Sequence, residues 1–240
     1  MTPAEDRNRA VAARIGFWCA VAAAISVAAS VPALLAVGNR PYVSLADYAA
    51  GFQDIELLPY VLWLIPAPFI VAAFACLQSL APENRRILGQ LAAAFTIPYA
   101  TIVSVNYTIQ LTIVRGSIHS GDFSGLAPWV ASNPGSVVLA TDVLGYFFLG
   151  LATLAAFPLF GGTRVEAALR WLFLIHGFMG IGGLVAILAI PFGSTQAQGA
   201  AVVALAAWGS VFSTGMFLLG LTFRRTSALL TTKPGVPANH

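Results

Sequence analysis

The chain has 240 residues, 58% of them apolar and only 9% charged, where a soluble domain carries about 25% charged residues. That composition excludes a water-soluble fold, because lipid must act as part of the solvent for so much apolar surface. The formal net charge of +3 does not point to nucleic acid, since the basic residues stand in ones and twos at the ends of apolar runs, where membrane topology requires them.

Residues 1–14 form a basic, polar N-terminus, and the first apolar run covers 15–37. It is too long for the 7–15-residue core of a secretory signal and is expected to stay as a first helix. The segment after it opens with Ser44-Leu45-Ala46-Asp47, a Ser-x-x-acid capping pattern. Tyr48, Phe52 and Ile55, set among Asp47, Asp54 and Glu56, read either as a short amphipathic helix on the membrane surface or as an ordered loop packed on the bundle. The second run, 57–80, contains Pro66 and Pro68, and the third, 87–114, contains Pro98. Each proline deletes a backbone donor and should bend its helix. A short connection around 82–86 joins these two runs into a tight hairpin.

A Gly-, Ser- and Pro-rich loop over 116–135 carries Trp129 as an interfacial anchor. The fourth run is 137–160, and a short link over 161–170 leads to the fifth, 171–191. There Gly177, Gly180 and Gly183 repeat every three residues beside Gly182. The sixth, 200–223, carries Gly209, Ser210, Ser213 and Thr214. Small faces of this kind let helices approach closely in lipid. The tail, 226–240, is short, polar and Pro-containing and reads as disordered.

Each run has the ~20 residues that a helix with ~1.5 Å rise needs to cross a ~30 Å hydrocarbon core. Arg7, Arg9, Arg14, Arg85, Arg86, Arg164, Arg170, Arg224, Arg225 and Lys233 fall on one side, and only Arg40 and Arg115 on the other. The positive-inside rule makes the first side cytoplasmic. The expected fold is therefore all-α: a polytopic transmembrane bundle over 15–225 with six spans, N-in and C-in, in a prokaryotic cytoplasmic membrane. Three spans followed by three would make the halves inverted in topology, although no matching motifs link them. Cys19 and Cys76 both fall near the cytoplasmic ends of spans and are expected to be reduced, buried thiols. No cysteine or histidine spacing suggests a metal, and no cofactor is expected.

An ionisable group inside a span is expensive and faces a partner or a cavity. There are two, Asp142 in the fourth span and His176 in the fifth, in opposite leaflets. In the third span Asn106 and Gln110 are four apart, as are Asp142 and Tyr146 in the fourth, so each pair shares a helix face. Counting from the outer ends matches Gln110 to Asp142 and Asn106 to Tyr146, with Arg115 reaching down to neutralise Asp142. Two main readings compete. Asp142 is a staple between the third and fourth spans, or the cluster is an outward-open site where Asp142 binds a cation or carries a proton; a lipid-headgroup contact is a third. His176 reads as a packing residue bonded to a carbonyl of an adjoining helix, and as a secondary site candidate. It is a single intramembrane His, so it cannot supply paired haem ligands, and no intramembrane Lys is present for retinal. His176 precedes Ser210, the reverse of the order in rhomboid-type serine proteases.

The words Asn106-Tyr107-Thr108-Ile109-Gln110-Leu111-Thr112, Asn133-Pro134 and Asp142-Val143-Leu144-Gly145-Tyr146-Phe147 resemble an uncharacterised family of small prokaryotic multi-pass membrane proteins. In that family the position of Asp142 tends to be Glu. The resemblance implies a membrane class and no activity. Three functions follow as expectations. The first is non-enzymatic binding of a small amphiphile, a lipid or a partner between the third and fourth spans. The second is proton- or cation-coupled transport through Asp142, for which so small a bundle would call for a homodimer. The third is lipid modification by an intramembrane enzyme, disfavoured because no acid–base pair or metal cluster gathers at one depth.

Overall fold

The computed structural model describes residues 2–37, 41–189 and 195–232. Arg40, the end of the fifth apolar run at Pro191, and the tail from Lys233 onward lie outside the described residues. In chain order the helices are α1 (Pro3–Val37), α2 (Leu45–Ala50), α3 (Leu58–Leu64), α4 (Pro66–Leu80), α5 (Arg86–Ile109), α6 (Arg115–Ser120), α7 (Val137–Ala156), α8 (Arg164–Ala189) and α9 (Thr195–Thr231). They build six spans long and apolar enough to cross a membrane: Ala4–Val37, Asp54–Leu80, Glu83–Ser120, Val137–Leu159, Arg164–Ala189 and Gly199–Thr231. The bundle is all-α among the described residues, as expected from the apolar runs.

The helices overrun those runs at both ends of the chain. Thr2 and Glu5 cap α1 reciprocally, Glu5 N–H donating to Thr2 Oγ1 (3.3 Å) and Thr2 N–H to the Glu5 carboxylate (2.6 Å). At the other end, residues 226–231 are helical rather than disordered. No proline interrupts them, Leu230 is buried, and the Thr226 and Thr231 hydroxyls bond back to carbonyls one turn earlier. The Phe223 ring packs on Gly16, and the Arg9 guanidinium reaches the Leu80 carbonyl. The start of the first span, the end of the second and the end of the sixth therefore share one end of the bundle. Arg85 and Arg170 mark the same end through contacts with Pro158 O and the Phe157 ring; it is termed the arginine-rich end below. The opposite, loop end carries α2, α6 and the connection after it.

The second span breaks at Ile65, between α3 and α4, where Pro66 starts a new helix. Pro66 has no N–H for the Leu62 carbonyl four residues earlier. The Ser26 hydroxyl, from the first span, donates to that carbonyl instead, at 2.7 Å. By contrast α5 continues across Pro98. The third span is irregular further on. Residues Gln110–Val114 form a π-helical turn in which the Arg115 N–H bonds back to the Gln110 carbonyl.

The fourth and fifth spans touch backbone to backbone. A Cβ built on Gly150 would lie 2.9 Å from the Gly177 carbonyl oxygen and 3.2 Å from Gly180 Cα. Gly177 and Gly180 thus form the small face expected of the glycine repeat, whereas Gly182 and Gly183 have nothing near them. Gly209 lies against Trp63 and Val31. Phe74, Phe173, Phe212, Met216 and Leu149 fill the centre and are fully buried. Cys19 and Cys76 are free thiols.

At the loop end α2 is capped by Ser44, whose side chain accepts from Asp47 N–H at 3.1 Å. Its Tyr48 is buried in a second, smaller core with Val114, Leu126 and Val130. The segment is therefore packed on the bundle, in line with the second of its two readings.

Candidate functional site

The third and fourth spans meet through a chain of polar side chains in the half of the bundle nearest the loop end. The Asn106 amide donates to Asp142 Oδ1 at 2.7 Å and to the Val138 carbonyl at 3.3 Å. Thr141 Oγ1 accepts from the same nitrogen at 3.0 Å and donates to the Val137 carbonyl at 2.8 Å. Next to it, the Tyr107 and Tyr146 hydroxyls share a hydrogen bond. Asn106 and Asp142 are 5% and 8% exposed, so these bonds satisfy groups that would be costly to bury alone.

Tyr146 meets Tyr107, the chain neighbour of the expected Asn106. The partner of Asp142 is one turn out of register: Asn106, not Gln110, faces it. The reason is the loop before α7. Leu126 and Val130 are buried at 2% and 0% exposure, so this connection dips into the bundle and occupies the depth assigned to Asp142. Gln110 holds it there: its Nε2 donates to the Trp129 carbonyl at 2.6 Å, and Ala131 N–H donates to its Oε1 at 3.2 Å. The π-helical turn begins at Gln110, and its amide ends up tying down a loop, not binding Asp142.

Arg115 also departs from expectation. Its guanidinium bonds Asp54 through Nε (3.0 Å) and a terminal nitrogen (3.1 Å), and His119 Nε2 lies 3.0 Å from the same carboxylate. Both partners are about half exposed. Arg115 therefore stays at the surface with a hydrated partner, because reaching Asp142 would strip water from the guanidinium.

Asp142 is consequently left without a cation among the described residues. Its second oxygen, Oδ2, accepts no hydrogen bond from any described residue. This carboxylate lines a cavity of about 230 Å³. The open space does not lie between the third and fourth spans, which are welded together. It lies on the bundle-facing side of both, walled by Leu34 of the first span, Tyr60 and Trp63 of the second, and Val202 and Leu205 of the sixth. Tyr107, Leu139, Val143 and Tyr146 complete the wall beside Asp142. Glu56 and Ser132 line it at the loop end.

Its aromatic residues are coupled ring to ring. Tyr60 meets Tyr107 edge-on (5.4 Å), and Trp63 stacks on Trp208 (5.5 Å). Trp208 in turn contacts Tyr146 at 4.8 Å and His176 at 4.5 Å. Composition gave no reason to single out Tyr60, Trp63 or Trp208, because an aromatic within an apolar run looks like core. Tyr107 stood inside the stretch resembling the prokaryotic family, and Glu56 inside the segment that reads either as a surface helix or as a packed loop.

His176 is fully buried below this cavity. The Thr153 hydroxyl donates to the Gly150 carbonyl at 2.9 Å, so it is an acceptor for His176 Nδ1 at 3.0 Å. The partner is a hydroxyl on the fourth span, not the carbonyl expected. With Nδ1 donating, Nε2 is an acceptor, and it has no described partner; nor have the Trp208 indole N–H and the Tyr99 hydroxyl. No three His, Cys, Asp or Glu side chains converge as a metal site among the described residues.

Family models, curated proteins and solved structures were all compared with this chain, and none matches it.

Proposed function

We propose that this is a non-enzymatic binding protein of a prokaryotic cytoplasmic membrane, taking a small amphiphile or lipid fragment into the cavity beside Asp142 from the outer side. The arginine-rich end is cytoplasmic in this reading, by the positive-inside rule, so the end of the cavity lined by Glu56 and Ser132 lies toward the outside. The observation that carries it is a largely apolar cavity holding one buried carboxylate with an unused oxygen. Ligand sites have this composition: apolar walls with few, placed polar groups. The carboxylate is both staple and site, since Oδ1 serves Asn106 while Oδ2 is left for a ligand.

The test is protection of a reporter thiol. In a background with Cys19 and Cys76 replaced by alanine, Val143→Cys places a thiol on the cavity wall. Its reaction with N-ethylmaleimide should slow when a six-carbon amphiphile occupies the cavity. Val202→Trp, which fills the space from the sixth span, should remove that protection. Protection by no amphiphile, or protection that survives Val202→Trp, would refute the reading.

A second reading, proton- or cation-coupled transport through Asp142 in a homodimer, draws on His176, Trp208 and Tyr99. These continue unsatisfied polar groups below the cavity floor. It requires flux in proteoliposomes that Asp142→Asn abolishes while the protein stays folded.

A further inference from the structure

We infer that the ligand of this cavity is a small organic monocation with a short apolar tail, an alkylammonium; the inference rests on the binding reading above. Charge is the first argument. Among the described residues Asp142 is the acid inside the cavity, and no Lys, Arg or His lines it. Glu56, at the loop end, already accepts from the Gln53 N–H. Arg115, a cation at this end, is engaged by Asp54 on the surface. Asn106 gives Asp142 a neutral donor on one oxygen only, and a carboxylate withdrawn from water calls for a compensating positive charge.

Coordination chemistry decides between kinds of cation. Calcium takes 6–8 oxygen ligands and magnesium about six, whereas Asp142 is the one carboxylate inside. A metal ion would keep most of its water there, against Leu34, Leu139, Val143 and Leu205. An ammonium needs only one carboxylate. Its N-methyl or N–H surface gains from aromatic faces, which Tyr60, Trp63, Tyr107 and Tyr146 supply on the same cavity. The aliphatic wall suits a tail. The volume of about 230 Å³ falls below the ~300–1,000 Å³ of drug-sized sites, so the ligand is small.

The experiment keeps the tail constant and changes the head. Hexyltrimethylammonium, hexanol and hexanoate compete in the Val143→Cys protection assay on the purified protein at neutral pH. The ammonium should protect at a concentration at least about tenfold below that of hexanol, and hexanoate should protect least. Asp142→Asn, which keeps an acceptor for Asn106, should erase the difference between ammonium and alcohol, and Asp142→Glu should retain it; unfolding midpoints confirm that each variant is folded. Equal protection by all three heads, or strongest protection by hexanoate, overturns the cation assignment while cavity binding stands. An ammonium preference that persists in Asp142→Asn overturns the role of this carboxylate. Protection by none of the three overturns this inference and the binding reading together.

Discussion

Adding one methyl group at Gly180 should force the fourth and fifth spans apart where they come closest. A Cβ there would sit 2.9 Å from the Tyr146 carbonyl oxygen and 3.1 Å from Gly150 Cα. Both are backbone atoms on a helix, so no side-chain rotation relieves the clash. Comfortable carbon contacts begin near ~3.5 Å, so the helices must separate by roughly half an ångström. Overpacking of this kind costs about 1–3 kcal/mol. Gly183, three residues further along the same helix, has nothing within 4 Å of its would-be Cβ. There alanine only removes glycine's excess backbone freedom, a gain of up to about 1 kcal/mol. The two glycine-to-alanine changes should therefore differ in sign and be separated by roughly 1–4 kcal/mol. Reversible unfolding in mixed micelles, titrated with dodecyl sulfate, measures both. Since the obstructing carbonyl belongs to Tyr146, Gly180→Ala should also weaken protection of the reporter thiol, and Gly183→Ala should not. Equal stability of the two variants would mean that these spans do not cross at Gly150 and Gly180.

Three further outcomes are expected at other positions. Ser26→Ala leaves the Leu62 carbonyl, freed by Pro66, without its donor and should lower unfolding stability by about 1–3 kcal/mol in the same titration, whereas Ser79→Ala, which loses only a bond within its own helix, should change it little. Gln110→Ala releases the loop at Trp129 and Ala131; hydrogen exchange should speed up over residues 126–133 while the spans keep their protection. Asp54→Asn breaks the pairing with Arg115 and His119, so exchange should quicken over residues 115–121. The pair is half exposed, and the global unfolding midpoint should not move.

The spans were legible because length and apolarity alone specify a membrane crossing, and the break before Pro66 was legible because a missing N–H acts locally. The ends were harder to read. Thr2-x-x-Glu5 is a capping box that sets the start of α1 well before the apolar run, but short polar words near a terminus carry little weight. Residues 226–231 stay helical because Leu230 finds a packing site, which no local pattern reveals. For the cluster, helical spacing correctly put Asn106 and Asp142 on facing surfaces, yet counting depth from the span ends assumed that the 116–135 loop lies outside the bundle. Burial of Leu126 and Val130 shifts the partner of Asp142 by a turn, from Gln110 to Asn106. Arg115 illustrates a similar limit: sequence shows a nearby cation, and only the fold shows that hydrated Asp54 is the cheaper partner. The cavity itself, on the bundle-facing side of the third and fourth spans, depends on how the first, second and sixth spans come together.

Labelling intact cells with a membrane-impermeant thiol reagent tests whether the chamber beside Asp142 opens outward. In the background lacking Cys19 and Cys76, thiols at Ser132→Cys and Val143→Cys should react from outside, and Asn84→Cys, exposed at the opposite end, should react only after the cells are permeabilised. Labelling of Asn84→Cys in intact cells, with residues 132 and 143 protected, would contradict both the orientation and the site.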